Sequence, residues 1–379
     1  MKTAYIFFFD GYVSVAPTII SLAESLSSLY DRVVIFAKDT IYGRYYFSND
    51  KIILVYCNDY VKPQKSMRKV KHFLKGVLSY FLSMGFPAFK DLMICVDDNI
   101  FPFVALLSKI FFSKLLYLSL ELPVNKPNFL NILGFSSVNA VLVQDEYRLN
   151  ALFKAYNRNL EKFNGKVYFL PNSSINNAEV INVEEPDLVS QFDNFPSDKC
   201  VCAQIGMINE QVFSLELAKV FNYLETSVLV FHDRQKIDFE NSYIKDLIET
   251  NSSNLYLSGV IYDFNSLSLA YKPIDIGIAL YRYIDVNFGL IGKASGKLSF
   301  YLKYKKPVIV NELEGYSDLI YKYKCGFVIR DISNPKEWEN AIKNIMEHYD
   351  YYSKNAYECF LKEFDFKTKV MPLLDYLRG

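Results

Sequence analysis

The residues that most often bind metal ions are scarce in this chain. Its 379 residues include three histidines and six cysteines. No two cysteines form a CxxC pair, and no Asp-x-Asp sequence occurs. This composition argues against structural zinc and against a histidine-rich metal centre, so we expect no metal. Most cysteines lie in apolar runs typical of buried strands, which favours a reducing, cytosolic setting.

An excess of charge of one sign and long uninterrupted apolar runs are also lacking. Lys plus Arg and Asp plus Glu both number 42, so net charge gives no reason to expect a nucleic-acid partner. The apolar stretch 100–122 is interrupted by Pro102, Lys109 and Lys114. A membrane-spanning helix needs about 20 consecutive apolar residues, so we expect none. The chain is 51% hydrophobic and 22% charged, values typical of a globular protein.

The length predicts two domains, because a single core rarely grows beyond about 250–300 residues. Apolar runs alternate with helical patterns in both halves, and an acidic, Pro-containing stretch separates them. We predict an N-terminal domain at 1–180, a linker at 181–198 and a C-terminal domain at 199–350. A final helix at 351–379 is expected to cross back to the first domain.

The order of the predicted elements indicates the fold class. Strands are predicted at 5–9, 33–37, 52–56, 92–96, 115–118, 140–143, 167–170, 200–205, 227–231, 255–257, 276–279 and from Val308. Helices are predicted at 17–29, 146–156, 212–224, 243–250, 264–271, 297–304, 335–348 and from about Phe103. Such alternation is typical of α/β domains with parallel, doubly wound, Rossmann-like sheets. We expect two such domains facing across a cleft. Because such sheets bind ligands at the carboxyl ends of their strands, the cleft is the expected binding site.

A loop of small residues leads into a helix shortly before Pro307. The loop contains Gly292, Ser295 and Gly296, and Lys297 opens the helix. Backbone N–H groups and the helix dipole favour an anion at such a helix start, and Lys297 adds a full positive charge. The spacing of a Walker A motif is absent, so we predict a phosphate or diphosphate contact outside the NTPase class. The alternative is an ordinary helix start with a solvated lysine.

Further polar residues follow predicted strands of the second half, where a ligand at the carboxyl edge would contact them. The candidates are Tyr281, Arg282, Asn287, His232, Arg234 and Glu314. Carboxylates such as Glu314 often hydrogen-bond ribose or sugar hydroxyls. The alternatives are solvated charges and turn residues.

The first half offers a second set of residues after strands. Asp10 and Gly11 follow the first strand, Asp97 and Asp98 follow strand 92–96, and Glu121 ends another strand. We expect them to border a second ligand site, with Asp97 or Asp98 binding or deprotonating a hydroxyl group there. The alternative is that Asp98 or Asn99 caps a helix.

A basic amphipathic segment is predicted at 62–82. Lysines and arginines without any acid alternate there with Phe73, Leu74, Val77, Leu78, Phe81 and Leu82 at helical spacing. A helix of this kind can lie on an anionic membrane surface, here the inner face of the cell membrane. The alternative is a core-packing helix with a solvated basic face.

Several ordered motifs run through almost the whole chain. In the second half they are Val260–Ala270, Ile274–Tyr281, Ser295–Leu298, Lys306–Ile309 and Tyr323–Ile329. In the first half they are Tyr117–Leu122, Val141–Glu146 and Val167–Asn172. Their order resembles bacterial glycosyltransferases of the two-domain GT-B fold, in particular the family 4 (group 1) type used in surface-polysaccharide assembly.

This resemblance implies a hexosyltransferase-like enzyme. It would move a sugar from a nucleotide-sugar donor, with UDP favoured, to a glycan or lipid-linked acceptor and retain the anomeric configuration. The donor diphosphate would lie at Ser295–Lys297, with Lys297 stabilising the leaving group. The candidates after strands of the second half would then be donor-side residues, and Asp10, Gly11, Asp97, Asp98 and Glu121 would border the acceptor site. The nucleotide-sugar is then a substrate, and no cofactor is implied.

The sequence departs from the family pattern in two places. Two family glutamates are replaced by Gly292 and Phe300, and two basic positions hold Met207 and Gln211. Members with Ser-Gly-Lys in place of the glutamates do occur. The departures keep a second possibility open, a non-catalytic GT-B subunit that supports an active partner. A nucleotide-sugar epimerase is a third possibility, although it needs paired acid and base groups.

Overall fold

In the computed structural model, residues 1–39, 44–58, 66–175, 198–233, 237–250, 254–258 and 268–379 are described. Contacts between residues divide the chain into two compact units. The first unit comprises Met1–Ile175 together with Asp365–Gly379, and the second comprises Asn176–Phe364. The predicted linker at 181–198 lies outside the described residues except for Asp198.

The first unit is built on a parallel sheet, to which the described residues contribute seven strands. The strands are β1 (Thr3–Phe8), β2 (Arg32–Lys38), β3 (Ile52–Asn58), β4 (Leu92–Val96), β5 (Lys114–Leu118), β6 (Ala140–Val143) and β7 (Lys166–Phe169). Their order is β3-β2-β1-β4-β5-β6-β7. The described helices of Met1–Ile175 are α1 (Pro17–Leu26), α2 (Ser66–Met84), α3 (Phe101–Ile110), α4 (Phe129–Phe135) and α5 (Glu146–Ala155).

The second unit has a parallel sheet with six strands among the described residues. These are β8 (Cys200–Ile205), β9 (Ser227–His232), β10 (Leu255–Ser258), β11 (Ile276–Ala279), β12 (Val308–Asn311) and β13 (Gly326–Ile329), in the order β10-β9-β8-β11-β12-β13. The helices are α6 (Ser214–Phe221), α7 (Ser242–Glu249), α8 (Ser268–Tyr271), α9 (Val286–Gly289), α10 (Gly296–Lys303), α11 (Ser317–Tyr323), α12 (Pro335–Glu347) and α13 (Tyr349–Cys359).

Burial on both faces of each sheet explains why the strands are continuous apolar runs in the sequence. Every residue of β1 and of β8 is buried, as expected when helices cover both faces of a parallel sheet. In each sheet the strand order reverses beside the first strand, between β1 and β4 and between β8 and β11. The prediction of two doubly wound α/β domains is confirmed.

One buried tyrosine fixes α10 on the second sheet. The Tyr301 hydroxyl donates to the carbonyl of Ala203 at 2.7 Å and accepts from the N–H of Ile205 at 2.9 Å. Its ring fills the space above Gly277, where a Cβ atom would lie 2.3 Å from the ring. The helix that begins at Gly296 is thereby held against β8 and β11.

The single helix predicted at 351–379 is wrong, because the chain end is a succession of shorter elements. After α13, a π-helical turn covers Phe360–Phe364, and α14 (Phe366–Lys369) and α15 (Met371–Arg378) follow in the first unit. In the first unit, the rings of Tyr168 and Tyr376 lie 5.8 Å apart. No described helix combines the length and the apolar character that crossing a bilayer requires.

Glu363 anchors the π-helical turn after α13. Its carboxylate accepts hydrogen bonds from Lys293 at 2.6 Å, Lys322 at 2.8 Å and the Tyr323 hydroxyl at 2.6 Å. Burial alone would raise the pKa of Glu363, but these three donors more than offset it and leave the pKa at about 2. The π-helical turn therefore carries an anion that ties the loop before α10 to α11.

We expect Glu363→Gln to destabilise the protein by on the order of 2 kcal/mol at pH 7. A carboxylate whose pKa is depressed on folding stabilises the folded state above its unfolded pKa, near 4.5. The difference between variant and wild type should therefore shrink as the pH falls from about 4.5 towards 2. Urea denaturation at pH 7 and pH 3 measures it, with the exposed Glu358→Gln as control. A loss of equal size at both pH values would contradict the assignment.

Candidate functional site

The carboxyl edge of the second sheet collects most of the predicted donor-side residues. The loop after β8 begins at Gly206, and the loop after β11 contains Tyr281. These two strands are neighbours although β9 and β10 lie between them in sequence. Such a reversal of strand order creates the crevice in which open α/β sheets bind ligands.

Lys297 reaches into this crevice. Its ammonium nitrogen is buried and lies 5.4 Å from the centroid of the Tyr281 ring. Its Cε atom would lie 3.4 Å from a Cβ atom added to Gly206. Gly206 has a φ of +117°, which only glycine adopts without strain. A side chain at this position would thus both strain the backbone and crowd the lysine.

Ser295 organises the start of α10. Its hydroxyl oxygen accepts from the N–H of Leu298 at 3.1 Å, which makes Ser295 the N-cap residue, and it bonds the Tyr281 hydroxyl at 2.8 Å. The N–H groups of Gly296 and Lys297 belong to the same first turn, where the helix dipole favours negative charge. Ser295 thus aligns a helix start and an aromatic ring around the lysine, and its direct contact with a ligand stays a prediction.

Asn311 is a site residue that the sequence analysis missed. It ends β12, accepts from the N–H of Tyr281 at 2.9 Å and donates to the carbonyl of Tyr281 at 2.9 Å. This two-point contact fixes the backbone that carries the Tyr281 ring. An asparagine at the end of a strand was the available signal, but its partner lies 30 residues away.

Arg282 is engaged within its own unit. Its guanidinium lies 2.6 Å from a carboxylate oxygen of Glu216 and 4.2 Å from the ring centroid of Phe213. A further bond of 3.2 Å reaches the carbonyl of Glu210. The structure therefore gives Arg282 a role in joining the loop after β11 to the start of α6, and a donor contact would need this arrangement to open.

The remaining donor-side candidates occupy different positions along the same edge. Asn287 is buried in α9, and Gly292 is buried at the start of a 3-10 turn, Gly292–Ala294. His232 ends β9, is buried, and lies with Nδ1 3.0 Å from the Ser258 hydroxyl. Glu314 is exposed in the loop after β12. Arg234 lies outside the described residues.

The carboxyl edge of the first sheet brings Asp10 and the Asp97-Asp98 pair to the loops after β1 and β4. Asp10 is exposed and accepts a hydrogen bond from the Asn99 side chain. Partial burial raises the pKa of Asp10, although Lys69 and Lys38 act in the opposite direction. Gly11 packs against the Phe8 ring, where an added Cβ would lie 1.7 Å away.

Asp97 binds backbone rather than pointing towards solvent. Its carboxylate accepts from the N–H groups of Leu120 at 2.8 Å and Glu121 at 3.0 Å. Burial raises the pKa of Asp97 to about 8, an effect that the two N–H donors only partly offset. Its φ is 57°, in the left-handed region that Asp and Asn tolerate better than other side chains. The Glu121 side chain itself is exposed.

Asp98 is held by two tyrosines. Its carboxylate accepts from the Tyr117 hydroxyl at 2.6 Å and from the Tyr156 hydroxyl. Burial raises the pKa of Asp98, and the two hydroxyl donors lower it. The alternative that Asp98 or Asn99 caps a helix is wrong, because α3 has Ile100 at its N-cap position and no side-chain cap.

We expect Asp97→Asn to remove a pH-dependent loss of stability. Because folding raises the pKa of Asp97 from 3.8 to about 8, the wild type should lose stability as the pH rises through this window. The amide oxygen of Asn can accept both N–H groups without a buried charge. At pH 9 the variant should be more stable by on the order of 3 kcal/mol. Urea denaturation between pH 5 and 9 checks this, with Asp145→Asn as control, and parallel profiles for variant and wild type would refute it.

Comparisons in sequence identify no relative. No protein-family model matches the chain, and no curated protein matches it either.

Solved structures, in contrast, match over its full length. Sucrose-phosphate synthase from Thermosynechococcus elongatus has a TM-score of 0.70 at 14% identity, covering 100% of this chain and 98% of that chain. WaaG, a glycosyltransferase involved in lipopolysaccharide biosynthesis, has a TM-score of 0.64 at 14% identity, with 100% of both chains covered. HepE from Anabaena, solved in complex with UDP and glucose, has a TM-score of 0.68 at 14% identity, covering 100% and 99%.

These structures define the class of fold. At such identities a structural likeness establishes the fold alone, and the fold is GT-B, as the motifs of the sequence predict.

Proposed function

We propose that the protein is a glycosyltransferase that moves a sugar from a nucleotide-sugar donor to a glycan or lipid-linked acceptor. The observation that carries the proposal is the Lys297 ammonium, buried at the strand-order reversal of the second sheet beside Gly206 and the Tyr281 ring. A UDP-sugar is the favoured donor, and the likeness to HepE with bound UDP and glucose supports that choice.

The proposed chemistry follows from where negative charge develops. When the bond between the anomeric carbon and the β-phosphate oxygen breaks, the departing diphosphate gains charge. Lys297 and the N–H groups of the first turn of α10 stabilise that charge, and preorganised groups of this kind are usually the largest catalytic contribution. The acceptor oxygen bonds to the anomeric carbon, and its proton passes to the departing phosphate or to a protein base. We assign retention of configuration from the family resemblance.

The acceptor is assigned to the first unit. Among the acidic residues at that edge, Asp97 is bound by backbone N–H groups and Asp98 by tyrosine hydroxyls. Asp10 is exposed and is the best placed to accept from an acceptor hydroxyl. That the reaction needs no metal and no other cofactor stays a prediction.

We expect Lys297→Met to weaken UDP binding at least tenfold and to lower kcat/KM on the preferred UDP-sugar by about 100-fold. Methionine is unbranched like lysine and one atom shorter, so it keeps the aliphatic stem and removes the charged ammonium group. Thermal shift and calorimetry with UDP, GDP, CMP and their sugar conjugates measure the change in binding. The rate at which products form from the UDP-sugar measures the change in kcat/KM. Lys303→Met, on the same helix but in its last turn, serves as the matched control. Unchanged donor binding in Lys297→Met would remove the site assignment.

A non-catalytic subunit is the second candidate, and one observation favours it. Phe300 occupies the position of a family glutamate, is buried, and stacks on Tyr271 with ring centroids 5.7 Å apart. A carboxylate could not replace it there without losing this packing. Suppose that the purified protein binds UDP in a Lys297-dependent way but shows no turnover on any acceptor. That result would favour this candidate over the enzyme.

A further inference from the structure

Helix α2 exposes a stripe that changes from basic to apolar along its length. Lys71, Lys75, Leu78 and Leu82 follow one another at spacings of three or four residues, so they share one helix face. All four are exposed, with Leu78 at 50% and Leu82 at 70%. The predicted amphipathic segment therefore has only part of its apolar residues exposed. Its other members Phe73, Val77 and Phe81 are buried in the core of the first unit.

The apolar part of this stripe continues onto α3. Gly85, with a φ of +98°, ends α2, and the ring of Phe86 then lies 5.8 Å from Phe81 and 5.9 Å from Phe111. This brings the end of α2 to the end of α3. We call the exposed apolar residues here the apolar tip: Leu78 (50%), Leu82 (70%), Met84 (50%), Phe86 (52%), Phe89 (72%), Ile110 (55%) and Phe112 (75%).

Phe112 is unfavourable for folding on two counts. It follows the C-cap of α3 with a φ of 51°, where the N–H of Ser113 bonds the carbonyl of Ser108 at 2.9 Å. Glycine is the usual residue at this position, because a bulky side chain is strained in the left-handed region. The ring is nevertheless 75% exposed and so gains little from the core. A residue that costs strain and exposes a phenyl ring points to a role outside folding.

The surroundings of the apolar tip are basic. Neither residues 66–90 nor residues 99–120 contain an Asp or Glu. Lys71, Lys75, Lys90 and Lys109 are exposed in these two segments. A second copy of the chain related by two-fold symmetry would bring lysines opposite lysines, whereas an anionic surface would complement them.

We propose that the apolar tip and its lysines bind the surface of an anionic lipid bilayer. The apolar side chains enter the boundary between headgroups and acyl chains, and the lysines contact lipid phosphates. The proposal narrows the predicted membrane segment 62–82 to the second half of α2 and extends it to the end of α3. Lys62 and Lys65 lie outside the described residues. It stands on the first unit alone and does not depend on the proposed transferase activity.

Co-sedimentation of the full chain with vesicles tests the proposal. We expect binding to vesicles of phosphatidylcholine with phosphatidylglycerol, weak binding to phosphatidylcholine alone, and loss of binding as salt rises. Replacing Lys75, Lys90 and Lys109 by Gln should weaken binding about fivefold per lysine. The exposed Lys219→Gln and Phe239→Ser in the second unit are the controls and should bind as wild type.

Phe112→Gly gives the sharpest test, because it should relieve strain while it removes a tip residue. Its thermal unfolding midpoint should be unchanged or higher, and its vesicle binding should fall by on the order of tenfold. Equal binding to both kinds of vesicle, or none to anionic vesicles, would overturn the proposal. So would a concentration-dependent dimer in sedimentation velocity that Phe112→Gly dissociates, since that would assign the tip to a second copy.

Discussion

The position of the candidate site depends on the contact between the Tyr301 hydroxyl and the backbone of β8. One oxygen satisfies the carbonyl of Ala203 and the N–H of Ile205, and the ring needs the missing side chain of Gly277. A buried hydroxyl without partners would be costly, so this geometry leaves α10 little freedom. Lys297 lies four residues earlier on the same helix. Its side chain therefore lies beside Gly206, and its ammonium group lies where the strand order reverses.

Much of the architecture could be predicted because it depends on local signals. Strands buried on both faces read as unbroken apolar runs, and β4, β6, β8 and β11 have the predicted bounds. Helix α4 was missed although it has a local signal, since the Asn128 side chain caps it by accepting from the N–H of Asn131. The broken end after α13 was missed because its contacts are not local. The turn at Glu363 depends on Lys293 and Lys322, 70 and 41 residues away in sequence.

The candidate site divides in the same way. The spacing of Gly292, Ser295 and Lys297 before a proline-terminated helix predicts an anion site within one short segment. The partners of other charges cannot be read from such a segment. Arg282 looks available in sequence, but Glu216 and Phe213 engage it across 66 and 69 residues. Asp97 is a candidate base in the sequence, yet its carboxylate accepts hydrogen bonds from two backbone N–H groups of the loop after β5.

The division of the chain constrains the order in which its two units can be completed during synthesis on the ribosome. The first unit includes Asp365–Gly379, which emerges only after the whole of the second unit. Domains generally fold as they are synthesised, from the N-terminus onwards. Here the strands of the first unit are synthesised first, but α14 and α15 are added only after the second unit has been synthesised. The first unit is therefore completed after the second, and a chain stalled near residue 364 would carry a complete second unit joined to a first unit without its last two helices.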